Sequence, residues 1–206
     1  MKILVTAFDP FGGESINPAS VAVMQLPDKL EGVKIIKKEI PTIFGKSADI
    51  LCHTLAEERP DAVISVGQAG GRPNITIERI AINIDDARIP DNDGVKREDV
   101  LIKPDGPAAY FSTLPIKGIV AALKKTGIPG DISNSAGTFV CNHIMYAALH
   151  YAAESQPGLK AGFVHIPYLP GQVVDKPAMP SMSLETVVDG LKVIIATVAA
   201  VCESGY

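Results

Sequence analysis

Short apolar runs alternate with segments of helical spacing along the whole chain, and this alternation narrows the fold more than any other feature. Ile3–Ala7, Val33–Lys38, Ala62–Val66, the neighbours of Ile132 and Gly162–Ile166 read as strands. Ile75–Ile84 reads as one further strand because it is rich in β-branched residues. Ser47–Glu58 has Ile50, Leu51 and Leu55 on one helical face, and Pro60 closes it. Pro115 fits the first turn of a helix running to about Lys125, with Gly127 as its C-terminal cap. Cys141 to about Glu154 has helical composition, and Ser183 is expected to cap a last helix through Val201. Strands alternating with helices imply an α/β layered sandwich, a central, largely parallel twisted sheet flanked by helices. No repeat, low-complexity stretch or linker divides the chain, so residues 1–206 are expected to form a single domain.

Open α/β sheets bind ligands outside the carboxyl ends of their strands. The segments there are Phe8–Asn17, Gly67–Asn74, Asp85–Gly94, Ser133–Asn142 and Pro167–Gln172. Asp85–Phe111, dense in Asp, Pro and Gly, reads as a long functional loop or hairpin excursion.

Composition removes several function classes. The formal charge is −4, and Lys and Arg are scattered with only short pairs such as Lys37-Lys38, so no nucleic-acid partner is expected. Met1–Ala7 is too short for a signal peptide, and the apolar stretch Val193–Val201 is too short to span a bilayer. Three cysteines, few and odd in number, predict free thiols in a reducing compartment. A cytoplasmic protein without a membrane partner is the expectation.

Among those thiols, Cys141 stands where a strand gives way to a helix. A helix N-terminus favours thiolate, the reactive form, and its free N–H groups can stabilise an oxyanion. The plain alternative is a small buried hydrophobe. Cys52, inside a helix, and Cys202, near the C-terminus, read as core or surface thiols. A nucleophilic cysteine needs a base, and the chain has four histidines. His143, two residues along the helix, is turned about 200° from the thiol, and His150 lies more than two turns on. His53 is mid-helix elsewhere. His165, at the carboxyl end of a strand, is the remaining candidate. For the acceptor that orients the base, Glu78 stands out as a carboxylate inside an apolar run, either paired or on an exposed face. Asp85, Asp86, Asp91 and Asp93 read as turn formers, with Asp91 the next residue to test as the acceptor.

Several long segments carry a specific likeness: Val5–Gly13, Asn17-Pro18, Gly67–Arg72, Ile77–Asn83, Asp86–Asn92, Ser133–Gly137 with Cys141-Asn142, and His165–Tyr168. In sequence and order they resemble pyroglutamyl peptidase type I, the pyrrolidone carboxyl peptidase family of cysteine peptidases. The resemblance runs from the first strand to at least Gln172. It implies a Cys–His–Glu triad at Cys141, His165 and Glu78, an oxyanion arginine at Arg88, and pocket aromatics at Phe8 and Phe11, with Asn17, Gln68 and Val140 at further pocket positions. It also implies hydrolysis of the amide bond after an N-terminal pyroglutamyl residue of peptides through a thioester. Neither metal nor other cofactor is required, and a homo-oligomer, dimer or tetramer, is expected.

Three other readings carry distinct expectations. The loop Gly67–Gly71 invites a phosphate-binding reading, but it lacks a P-loop ending and dinucleotide spacing. A metallohydrolase using His143 and His150 would need one zinc to bridge residues roughly 10 Å apart along a helix. A catalytically dead binding homologue is opposed by the intact Cys, His and Glu set.

Overall fold

The computed structural model describes residues 1–204. Among the described residues there are nine strands: β1 Lys2–Phe8, β2 Lys29–Leu30, β3 Val33–Ile40, β4 Ala62–Gln68, β5 Ile75–Glu78, β6 Ile80–Ile82, β7 Ala109–Phe111, β8 Gly130–Ser133 and β9 Lys160–Ile166. The helices are α1 Pro18–Met24, α2 Lys46–Glu58, α3 Ile116–Lys125, α4 Val140–Glu154 and α5 Leu184–Ser204. Seven strands form one sheet in the order β2-β3-β1-β4-β9-β5-β8, and β6 pairs with β7 in a separate ribbon. β3, β1, β4 and β9 run parallel. β5 is antiparallel to β9, and β8 runs with β5.

Pleat alternation splits the apolar residues between two cores. Ile3, Val5 and Ala7 of β1, Ile75 and Ile77 of β5, and Val164 and Ile166 of β9 face α1, α3 and α5. Leu4 and Phe8 of β1, Val63 of β4 and Phe163 of β9 face α2 and α4. His165 shares the second face with Phe163, so it looks toward the helix that carries Cys141.

Local signals account for some of the helix ends. Ser183 Oγ accepts the Thr186 N–H at 3.1 Å, the expected cap of α5. Gly127 takes φ +78° after α3, a left-handed conformation that glycine adopts without strain. Two expectations need correction. Ile75–Ile84 is two strands: the chain turns at Arg79, leaves the main sheet after Glu78 and pairs Ile80–Ile82 with β7. Its β-branched pattern continues across the change of partner, so the composition hides the break. Helix α1 was not foreseen. Asn17 caps it, its Oδ1 accepting from Ala19 N–H at 3.0 Å while its Nδ2 donates to Asp9 O, also at 3.0 Å. Asp91 forms a turn as expected: its oxygens accept the N–H groups of Asp93 and Val95, and that of Phe44 as well, which staples the excursion to the chain before α2 and leaves Asp91 away from His165. Asp85 is not a turn former: it is fully buried between His143 and Arg97. No helix among the described residues is long and apolar enough to cross a membrane.

Candidate active site

A cleft of about 710 Å³ opens at the carboxyl ends of β4 and β9. Each of the five segments singled out in the sequence supplies part of its wall, including Phe11, Gln68, Arg88, Thr138 and Tyr168. Cys141 and His165 lie in it together. A second hollow, of about 530 Å³, sits at the opposite edge around Arg59, Gln156 and Cys202, and no histidine lines it.

Cys141 is the second residue of α4. The cap residue Phe139 has no side-chain hydrogen bond to the helix, so no cap side chain occupies the first amides of α4. Gly67 of β4 provides the wall beside the sulfur, and a Cβ built there would stand 3.2 Å from Sγ and 2.8 Å from Phe163 Cζ.

His165 and Glu78 meet across the antiparallel pair β9–β5. His165 lies opposite Thr76, which puts Glu78 one diagonal away on the same face. His165 Nδ1–H donates to Oε1 of Glu78 at 2.7 Å, leaving Nε2 as the ring's other nitrogen. Both residues are buried, Glu78 completely. Arg72, which closes the glycine loop, donates through Nη1 to the same Oε1 at 2.6 Å and to Thr76 Oγ1 at 2.7 Å. Oε2 makes no hydrogen bond, since the nearby Ser133 hydroxyl donates to Ser135 O at 3.0 Å.

These contacts fix the charge states. Burial alone would raise the Glu78 carboxyl, but the hydrogen bond and charge of His165, with help from the Arg72 hydrogen bond, outweigh it and hold the group below its usual range. Burial lowers His165 below the ordinary imidazole value; Glu78 opposes that shift and Arg72 adds to it. Burial first and the Glu78 charge second push the Cys141 thiol up to about 12, and Arg72 and the Cys141 amide only partly offset them. Burial thus works against the ready thiolate expected at the helix start, and the directions of both shifts favour a neutral thiol beside a neutral imidazole in the resting pair.

The other expected pocket residues divide. Phe11, Gln68 and Arg88 line the cleft, Arg88 with an exposed side chain. Phe8 is buried behind it against Phe163, with ring centroids 6.3 Å apart, and Phe163 in turn touches the His165 ring. Val140 is fully buried in the core under α4, and Asn17 is spent on capping α1. These three reach the cleft wall only through what they support. Arg72 is the residue that sequence reasoning missed. Its signal was an arginine ending a glycine loop just before a strand that holds a lone carboxylate.

The remaining histidines have other partners. His143 Nδ1 lies 2.9 Å from Asp85 Oδ2, and its Nε2 accepts from Gly45 N–H at 3.2 Å. His150 Nδ1 pairs with the Tyr110 hydroxyl at 2.9 Å, and the exposed His53 pairs with Glu57. Among the described residues, no group of three or more His, Cys, Asp and Glu side chains is placed to share a metal ion.

Comparison with known proteins gives a consistent result. The family model described as pyroglutamyl peptidase matches residues 1–201. A pyrrolidone-carboxylate peptidase of Streptococcus suis (strain 05ZYH33) is 58% identical over 198 residues, 96% of this chain and 92% of that protein. One from Thermoanaerobacter sp. (strain X514) is 56% identical, covering 97% of this chain and 98% of its own length. The crystal structure of Bacillus amyloliquefaciens pyroglutamyl peptidase I superposes with a TM-score of 0.94 at 48% identity, covering 97% of both chains. A mutant pyrrolidone carboxyl peptidase from the hyperthermophile Pyrococcus furiosus gives a TM-score of 0.94 at 47% identity, over 97% of this chain and 99% of that one.

Proposed function

The chain belongs to the pyroglutamyl peptidase family, cysteine peptidases that remove an N-terminal pyroglutamyl residue, and from that premise we propose that Cys141, His165 and Glu78 carry the reaction in this protein. The observation that carries the residue assignment is the hydrogen bond from His165 Nδ1 to buried Glu78, with His165 and Cys141 on one cleft wall.

The substrate is a peptide whose first residue is a five-membered lactam with no charged amine. A ring of this kind suits a cleft with apolar walls and a few placed polar groups. Phe11 and Phe139, with ring centroids 6.3 Å apart, supply such a wall. His165 Nε2 takes the thiol proton as Sγ attacks the pyroglutamyl carbonyl carbon. Glu78 keeps the proton on Nδ1 and stabilises the imidazolium that forms. Amides at the start of α4 and the Arg88 guanidinium face the developing oxyanion. The imidazolium then protonates the leaving amine, a thioester remains on Sγ, and water activated by His165 releases pyroglutamate.

Homo-oligomerisation is part of the same reading. The excursion exposes Val95, Val100 and Leu101, apolar side chains that a second copy would cover. Sedimentation analysis would register a dimer or tetramer.

The deciding experiment is hydrolysis of a chromogenic pyroglutamyl amide before and after iodoacetamide, with mass mapping of the modified cysteine. Activity should vanish as Cys141 is labelled, and Cys141→Ala should be inactive yet folded. Full activity in that variant would end the reading.

A further inference from the structure

A second histidine, carboxylate and arginine meet about 200° around α4 from Cys141. Asp85 Oδ2 lies 2.9 Å from His143 Nδ1 and 2.7 Å from Arg97 Nη1, and the carboxylate is fully buried. His165 and Arg72 hold Glu78 in the same way. The difference lies at the far nitrogen. The Gly45 N–H can only donate, so the Nε2 it meets at 3.2 Å carries the lone pair, and the ring proton sits on Nδ1 facing Asp85. Both nitrogens of His143 are thus occupied, and the mechanism makes no use of them.

Asp85 opens the stretch that leads to Arg88. Its N–H and C=O exchange hydrogen bonds with Val100 at 2.8 and 3.0 Å. The Asp86 N–H donates to Thr138 O at 2.9 Å, and the Thr138 hydroxyl donates to Asp86 O at 2.6 Å. The Ala87 N–H donates to Arg97 O at 2.8 Å. Three consecutive residues are fixed in this way, one of them to the residue just before the cap of α4. Arg88 comes next, with its side chain exposed in the cleft wall. Asn142 ties α4 to Ile82 and Ile84, ahead of this stretch. His143 ties the same helix to Asp85 itself, so it links the element that carries the thiol to the segment that carries Arg88.

We propose that His143 is a positioning residue: by donating to Asp85 it sets where Arg88 stands relative to Cys141, a role that rests on the reading of Arg88 as the oxyanion group. Without that donor the buried carboxylate is left a bond short. Arg97, 28% exposed, is the partner with room to move, and the stretch before Arg88 moves with it because Ala87 is bonded to Arg97 O. A displacement of about 1 Å at a catalytic group costs about a hundredfold in rate. The loss falls on kcat, because the oxyanion exists only once the thiol has attacked.

The rate should follow the hydrogen bond to Asp85 and not the volume of the side chain. His143→Phe keeps a ring beside Phe44 but has no donor, so kcat for a pyroglutamyl amide should fall about a hundredfold with KM within about threefold. His143→Asn is smaller, yet its Nδ2 takes the place of Nδ1, and it should recover kcat to within about fivefold of wild type. On an Arg88→Ala background, adding His143→Phe should lower kcat less than about threefold, because the group being placed is gone. Wild-type kcat in a folded His143→Phe protein, a His143→Asn protein as slow as His143→Phe, or an undiminished loss on the Arg88→Ala background overturns this inference alone. Wild-type kcat in Arg88→Ala overturns it together with the oxyanion assignment. If His143→Phe does not fold, Asp85→Asn, which keeps the volume and removes the charge, decides by the same kcat loss and the same Arg88→Ala background. Failure of the wild-type protein to hydrolyse the amide overturns the family-based reading and this inference with it.

Discussion

Arg72 and His165 converge on a single oxygen, Oε1 of Glu78, which accepts from Nη1 at 2.6 Å and from Nδ1 at 2.7 Å. The base is thus oriented by a carboxylate that is itself held by a cation, and the cation depresses His165 as well as Glu78. Burial is the main cause of the low His165 value, with Arg72 assisting against Glu78. Removing the guanidinium therefore moves His165 upward. In Arg72→Gln the acid limb of kcat/KM should shift to higher pH, because the imidazole must be neutral to take the thiol proton. The pH profile for a pyroglutamyl amide measures this, and a limb that stays in place would refute it. Stability should fall by about 2 kcal/mol, less than for a fully buried pair, because the Arg72 side chain is 33% exposed.

The same two groups set the response of the fold to acid. Both are held below their unfolded values, His165 mainly by burial and Glu78 by hydrogen bonds that outweigh burial. On acidification the unfolded chain binds these protons first, so stability rises with pH across the window. The His165 contribution is present above about 6.5, the ordinary imidazole value, and is lost as pH falls from there through its lower folded value. The Glu78 contribution is lost further down, below about 4.3. Tm should drop between pH 7.5 and 5, and His165→Phe should shrink that drop. An equal drop in the variant would place the sensitivity elsewhere.

The sequence announced the ingredients of this site better than their geometry. Glu78 was legible because a carboxylate amid β-branched residues must be paired, exposed or functional. How it reaches His165 was not, because that depends on β5 running against β9, and strand direction has no local signature. Neither does the exit at Arg79, where the residues remain β-formers while the partner strand changes. Phe8 and Phe11 look alike in sequence, yet one is core and the other cleft wall. Asn17-Pro18 did carry a legible signal: an N-cap followed by proline at the first helical position, which begins α1.

Thiol reactivity separates a resting neutral pair from a preformed thiolate. Burial above all, with the Glu78 charge, places the Cys141 thiol at about 12. In the free enzyme, the rate of Cys141 alkylation by iodoacetamide should keep rising with pH through 9 and 10, as the thiolate fraction grows. A rate that levels off below pH 7 would mean a thiolate is already formed, and the proton transfer to His165 would then precede substrate binding.

Gly67 offers the most local test of how the nucleophile is held. Its φ is not in the left-handed region, so alanine is acceptable to the backbone and only space is at issue. The added methyl would stand 2.8 Å from Phe163 Cζ and 3.2 Å from Cys141 Sγ. Phe163 is fully buried and its ring touches His165 at a centroid distance of 4.7 Å, so it cannot retreat without moving the base. Overpacking of this kind costs about 1–3 kcal/mol in stability. A displacement on the order of 1 Å between nucleophile and base costs about a hundredfold in rate. Gly67→Ala should therefore remain folded with a modestly lower Tm, while kcat for the pyroglutamyl amide falls by about two orders of magnitude. Wild-type kcat in a folded Gly67→Ala protein would show that the thiol is not held by this wall.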